Sequence, residues 1–195
     1  MIENNAVAIG SVVIDLKLAL LIVLVIIAAA FDIKYRRIPN WLVLIGLVAG
    51  LGFGTLSSHG AGISGWSLGF AVGFGLFLPL YLMRAMGAGD VKLIAMVGGF
   101  LGAAGVFEVI LLTLLAGGGL AAAYALLRGS FRKLMDNVNH MVTSVAVDVA
   151  MREMPQATAP RQSAGDLPYG VAIATGTLVH VLLLANGYRL LASFQ

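Results

Sequence analysis

The chain contains no cysteine, which removes disulfides, thiolate metal sites and cysteine nucleophiles together. Charge is scarce as well. Asp, Glu, Lys and Arg make up 11% of the 195 residues, hydrophobic residues make up 60%, and the mean hydropathy is +0.99. A soluble domain of this size needs far more polar surface. The bilayer is therefore the expected solvent, and no large water-excluding core is required. The three histidines, His59, His140 and His180, lie far apart, so neither a metal site nor a cofactor is expected. Nothing in the sparse positive charge looks like a nucleic-acid face. A cleavable signal peptide is not expected, because Glu3 makes the start acidic and the apolar run that follows is too long for a signal core.

What the chain has in quantity is long apolar runs. A hydrocarbon core of roughly 30 Å takes about 20 helical residues, and six stretches approach that length: about Ile9–Phe31, Trp41–Leu56, Ile63–Met83, Val91–Ala104, Val106–Leu127 and Leu167–Leu191. The fourth and fifth read as one helix unless Gly102 to Gly105 supplies a turn, which two alanines flanked by glycines allow. The expected fold is therefore all-α, a polytopic membrane bundle of about six spans forming one membrane-embedded domain over residues 1–195. Charge orients it. Lys34, Arg36, Arg37, Arg84, Lys92, Arg128, Arg132, Lys133, Arg152 and Arg161 fall on one side, with only Lys17 and Arg189 near the other. The positive-inside rule makes the basic side cytoplasmic, which places both termini outside. Tyr35, Trp41 and Trp66 fit interfacial aromatic belts. The glycine repeats Gly46-x3-Gly50-x3-Gly54, Gly65-x3-Gly69-x3-Gly73 and Gly98-x3-Gly102 predict close helix packing.

Residues 129–166 form the long polar connection within this domain. Its first part, Phe131 to Met151, has near-helical apolar spacing and predicts an amphipathic helix on the inner leaflet. Pro155 to Ser163 reads as a linker.

Carboxylates near hydrocarbon are costly and so informative. Of the nine, Glu3, Asp15 and Glu108 are placed near the outer boundary, and Asp136, Asp148, Glu153 and Asp166 in the polar connection. Asp32 and Asp90 remain, both at ends of apolar runs on the cytoplasmic side. Asp32 is followed by a basic stretch and by Pro39-Asn40, a turn that offers Asn40 as an N-cap. Asp90 closes Gly87-Ala88-Gly89-Asp90 and opens the fourth span, where helix N–H groups favour a carboxylate. The flanking glycines permit φ > 0 and close approach of a second backbone. Taken singly, Asp90 is most simply a helix N-cap, and Asp32 reads equally well as a partner for Lys34 or Arg36. Lys92 reads as a basic anchor, and His180 as a packed or pore-side histidine.

Taken together, three blocks in order give the chain a resemblance to the type IV prepilin peptidases, within the Gly-x-Gly-Asp class of membrane aspartic proteases. The blocks are Asp32 with Arg37-Ile38-Pro39-Asn40, then Gly87-Ala88-Gly89-Asp90-Val91-Lys92-Leu93, then Leu167-Pro168-Tyr169-Gly170-Val171-Ala172. The resemblance implies a six-span core with Asp32 and Asp90 as the catalytic pair. Gly87, Gly89, Lys92, Arg37, Pro39, Asn40, Pro168, Tyr169 and Gly170 come with it as substrate-binding or supporting positions. It implies prepilin and pseudopilin precursors as partners, together with membrane lipid, and cleavage on the cytoplasmic side of a bacterial inner membrane. The family's larger members carry an N-terminal region with two Cys-x-x-Cys pairs, linked to methylation of the product. With no cysteine and an early first span, the compact Tad/Flp type without that region is expected here. Two other classes stand beside this reading: a small ion-coupled transporter, since intramembrane carboxylates bind cations or relay protons, and a non-catalytic pilus assembly subunit. Both aspartates lie near one face rather than the midplane, and no inverted repeat is evident, which counts against transport.

Overall fold

A computed structural model of the chain describes residues 2–56, 62–82, 86–127 and 169–188, together with Asp136, Asn139 and Thr143. Among the described residues all regular structure is helical: α1 (Ile2–Tyr35), α2 (Asn40–Leu56), α3 (Gly62–Leu82), α4 (Ala88–Leu127) and α5 (Tyr169–Ala185). The amphipathic helix expected over 131–151 and the linker after it lie outside the described residues, these three positions apart.

Leu16–Tyr35, Gly62–Leu82 and Ala88–Ala123 are long and apolar enough to cross a membrane. Helices α2 and α5 are equally apolar at 17 residues each, the short end of the spanning range. Large apolar side chains face outward on α1 (Val23, Ile26), α2 (Leu44, Ile45, Val48), α4 (Leu115) and α5 (Leu182). Such a surface needs lipid around it, and the helix is one of the two structures able to cross a bilayer with its backbone groups paired. The chain is a membrane helix bundle.

Two span boundaries differ from the sequence reading. Helix α1 begins at Ile2 rather than near Ile9, and it runs three residues beyond Asp32. The polar residues Glu3, Asn4 and Asn5 interrupt hydrophobicity without interrupting helix. Asp32 is consequently held in the last helical turn instead of following the helix. The second difference concerns α4. Its 40 residues would extend about 60 Å if straight, twice a hydrocarbon core. The expected break is present, but it occupies one residue. Gly102 adopts φ 76°, ψ −179°, a region essentially restricted to glycine, and residues 103–105 are already helical.

Contacts show that α4 doubles back there. A straight helix would put Gly117 about 40 Å beyond Asp90. Instead a methyl on Gly117 would lie 3.5 Å from Cβ of Ala172, two residues from Gly170, which is bonded to Asp32. The first limb, 88–101, therefore runs away from the aspartates and the second, 103–127, returns. The first limb is the central post. Residues 93–100 are all buried, including Leu93, Ile94, Met96, Val97 and Phe100, and a helix apolar all round belongs inside.

The glycine repeats act as expected, by letting backbones touch. A side chain on Gly69 would land on the carbonyl of Gly98, and one on Gly73 would stand 2.7 Å from the carbonyl of Ile94. This pins α3 antiparallel to the first limb. Gly46 makes room for Met96, and Gly50 for the ring of Phe100. Trp66, expected at the membrane interface, donates from Nε1 to the carbonyl of Leu47 at 3.2 Å, tying α3 to α2. Gly99 supplies the space for its indole.

Candidate active site

Asp32 and Asp90 come together at one end of the bundle. Both are largely buried, at 7% and 9% exposure, and the charge of Asp32 is felt at Asp90. Each carboxylate is held by a glycine N–H. Gly170 at the start of α5 donates to Oδ2 of Asp32 at 2.8 Å, and Gly87 donates to Oδ2 of Asp90 at 3.2 Å.

The local structure explains these positions. Gly87 accepts from Asp90 N at 3.1 Å and from Val91 N at 3.4 Å, so Gly87 is the cap of α4 and Asp90 is its third helical residue. The Asp90 side chain reaching back to the Gly87 N–H forms half of a capping box. The sequence reading of Asp90 as an N-cap is corrected accordingly. The glycines also work differently from the expectation. Neither Gly87 nor Gly89 adopts positive φ; among the described residues that conformation occurs at Gly62, Gly102, Gly187 and Arg36. Their value is space. A methyl on Gly89 would stand 3.2 Å from Cβ of Ile38, and one on Gly87 would stand 3.2 Å from Oδ2 of Asp90.

Asp32 is fixed from the other side of the site. Its carbonyl accepts from Arg36 N at 2.9 Å, closing α1, and Arg36 turns the chain with φ 53°. The next residues lead into α2, where the N–H groups of Leu42 and Val43 donate to the Pro39 carbonyl at 3.2 and 3.5 Å. Pro39 thus caps α2 with its backbone, and its missing N–H costs nothing there. Asn40, expected to be the cap, is already helical. Its Oδ1 instead accepts from Lys92 Nζ at 3.1 Å. Lys92 is exposed, and this bond links the α1–α2 turn to the first turn of α4.

The three sequence blocks are therefore one spatial unit. Ile38 packs on Gly89, Asn40 bonds Lys92, and Gly170 bonds Asp32. Arg37 and Tyr169 sit on the exposed rim, and Pro168 lies outside the described residues. Sequence reasoning missed the weight of Ile38, which is 9% exposed and wedged under the Gly89 turn. It also missed a second polar feature deeper in the bundle, where Nδ1 of His180 lies 3.1 Å from Oε2 of Glu108. Glu108 is buried. Its partner is on another helix, so local spacing gave no signal. Among the described residues no cluster of three His, Cys, Asp or Glu side chains offers a metal site.

The sequence model of the type IV leader peptidase family matches residues 19–122, more than half of the chain, and the chain belongs to that family. The matched stretch includes both aspartates and stops short of Gly170. No curated protein and no solved structure matches the chain.

Proposed function

We propose that this membrane peptidase is an aspartic endopeptidase that removes the leader of type IV prepilins and pseudopilins of the Flp/Tad type, using Asp32 and Asp90. The observation that supports this most strongly is the burial of the two carboxylates at one end of the bundle, each oriented by a glycine N–H. Two neighbouring carboxylates do not both ionise cheaply, so the pair carries one proton between them. The ionised member takes a proton from water. The protonated member donates to the scissile carbonyl oxygen as the water attacks; on collapse of the tetrahedral intermediate it recovers a proton, and the proton taken from water passes to the departing amine. No acyl-enzyme forms.

Gly87 is exposed while Asp90 beside it is buried, so an extended peptide can reach the carboxylate over that glycine. A helical peptide bond is shielded from such attack. The basic residues crowd the same end of the bundle in sequence, which argues for a site facing the cytoplasm of a bacterial inner membrane. A basic leader then stays in water while the apolar helix of the substrate remains in lipid. With α4 doubled back, the helices supply six spans, and the start of α1 and the end of α5 fall opposite the aspartates.

Co-expression with a pilin precursor tests the reading. Asp32→Asn and Asp90→Asn should each lower leader removal about 10³-fold or more, since members of a unit-acting pair fail together. Gel mobility and product mass measure it. Full processing by either variant rules the mechanism out.

A further inference from the structure

Glu108 and His180 lie outside the mechanism just described, yet their side chains are only 8% and 3% exposed and 3.1 Å apart. An acid–base pair inside a membrane bundle is costly, and apolar residues of similar size often pack there at no loss of stability. Its position indicates what it is for. Helix α5 packs on the second limb of α4 through small residues. Ala172 meets Gly117, Gly176 leaves its place to Thr113, and His180 meets Glu108 and Gly105. All three levels have a glycine as one of the partners. A smooth interface of this kind permits close approach, but it offers few side-chain knobs to stop one helix sliding along the other.

Register matters here because Gly170 begins the same helix. A slip of one residue moves the Gly170 N–H by about 1.5 Å, which breaks its 2.8 Å bond to Asp32. We infer that the Glu108–His180 pair is a register pin: it fixes α5 along α4 so that the Gly170 N–H meets Asp32, making Glu108 and His180 positioning residues for the active site. This rests on the reading of Asp32 as catalytic.

The absence of native cysteine makes a direct test practical. A methyl on Gly117 would stand 3.5 Å from Cβ of Ala172, within the separation a disulfide spans. Gly117→Cys with Ala172→Cys should oxidise rapidly in membranes and retain cleavage. Adding Glu108→Leu and His180→Leu should leave the protein folded, as thermal unfolding would report. Cross-linking should slow several-fold, and kcat should fall about tenfold or more with KM changed less than about threefold. Oxidation to completion should then restore kcat to within about threefold. Glu108→Gln alone, which keeps an oxygen opposite the ring, should hold both register and activity. The pin is overturned if the Leu pair leaves cross-linking unchanged, if the completed disulfide fails to restore kcat, or if Glu108→Gln is as impaired as the Leu variants. The cross-linking rate judges register without reference to catalysis. A native chain that never cleaves a precursor therefore sinks the proposed function and leaves the pin to be judged separately.

Discussion

At Gly170 a single added methyl would stand 2.9 Å from Oδ2 of Asp32 and 3.0 Å from its Cβ, closer than van der Waals contact allows. Either the aspartate or the start of α5 must move, and the 2.8 Å N–H bond is lost with that movement. Gly170→Ala should therefore cut the cleavage rate about 10- to 100-fold, about 1.4–2.8 kcal/mol of transition-state stabilisation, chiefly through kcat. Gly75→Ala provides the control, because a methyl there meets nothing within 4 Å, and its rate should equal that of the native chain. Equal rates for the two variants would show that the Gly170 bond does not orient the catalytic group. The candidate site was legible in the sequence at this scale to an uneven degree. Asp32 and Asp90 stood out because uncompensated carboxylates beside hydrocarbon are rare. The work of Gly170, Asn40 and Lys92 was not, because each acts on a residue of another helix. Asn40 shows this most clearly: its local context offered a cap, and the fold uses it as the acceptor for Lys92, 52 positions away.

Helices were easier to read than their faces. Apolar runs located the five described helices, since length against bilayer thickness is a one-dimensional signal. Which side of each helix is buried stayed hidden, because lipid and protein interior are both apolar and amphipathic periodicity disappears. The first limb of α4, buried at every position from 93 to 100, has no polar face to mark. The turn within α4 was legible as a glycine-alanine cluster, but the fold confines it to Gly102, which local sequence does not distinguish from Gly105. That assignment yields a prediction about the element. Gly102 and Gly118 both have open space where a side chain would go, and they differ in that Gly102 holds φ 76°. Gly102→Ala should therefore cost about 1–3 kcal/mol of backbone strain, lowering the unfolding midpoint in detergent by about 2–4 °C per kcal/mol for a chain of this size. Gly118→Ala should not lower it. Equal midpoints would mean that the limbs can be joined without the glycine-only conformation.

For the whole molecule, the doubling back of α4 determines parity. From the aspartates α2 runs away, α3 returns, the first limb of α4 leaves, the second limb returns, and α5 leaves again. Helix α1 arrives at Asp32 from the far side. Both termini and the α2–α3 connection should then share one face, opposite Lys34 and the connection 129–166. Were α4 a single crossing, α5 would begin on the face away from Asp32, and Gly170 could not bond to it as it does. A chain free of cysteine allows each face to be read separately. In intact cells, a membrane-impermeant maleimide should label Asn5→Cys and Ser58→Cys. Lys34→Cys and Ala159→Cys should react only after the membrane is opened. Labelling of Ala159→Cys in intact cells, with Lys34→Cys still protected, would place the two ends of the site on opposite faces and overturn the six-crossing arrangement. Protection of both with labelling of Asn5→Cys would put the aspartates on the cytoplasmic side, where the leader of an uncleaved precursor resides.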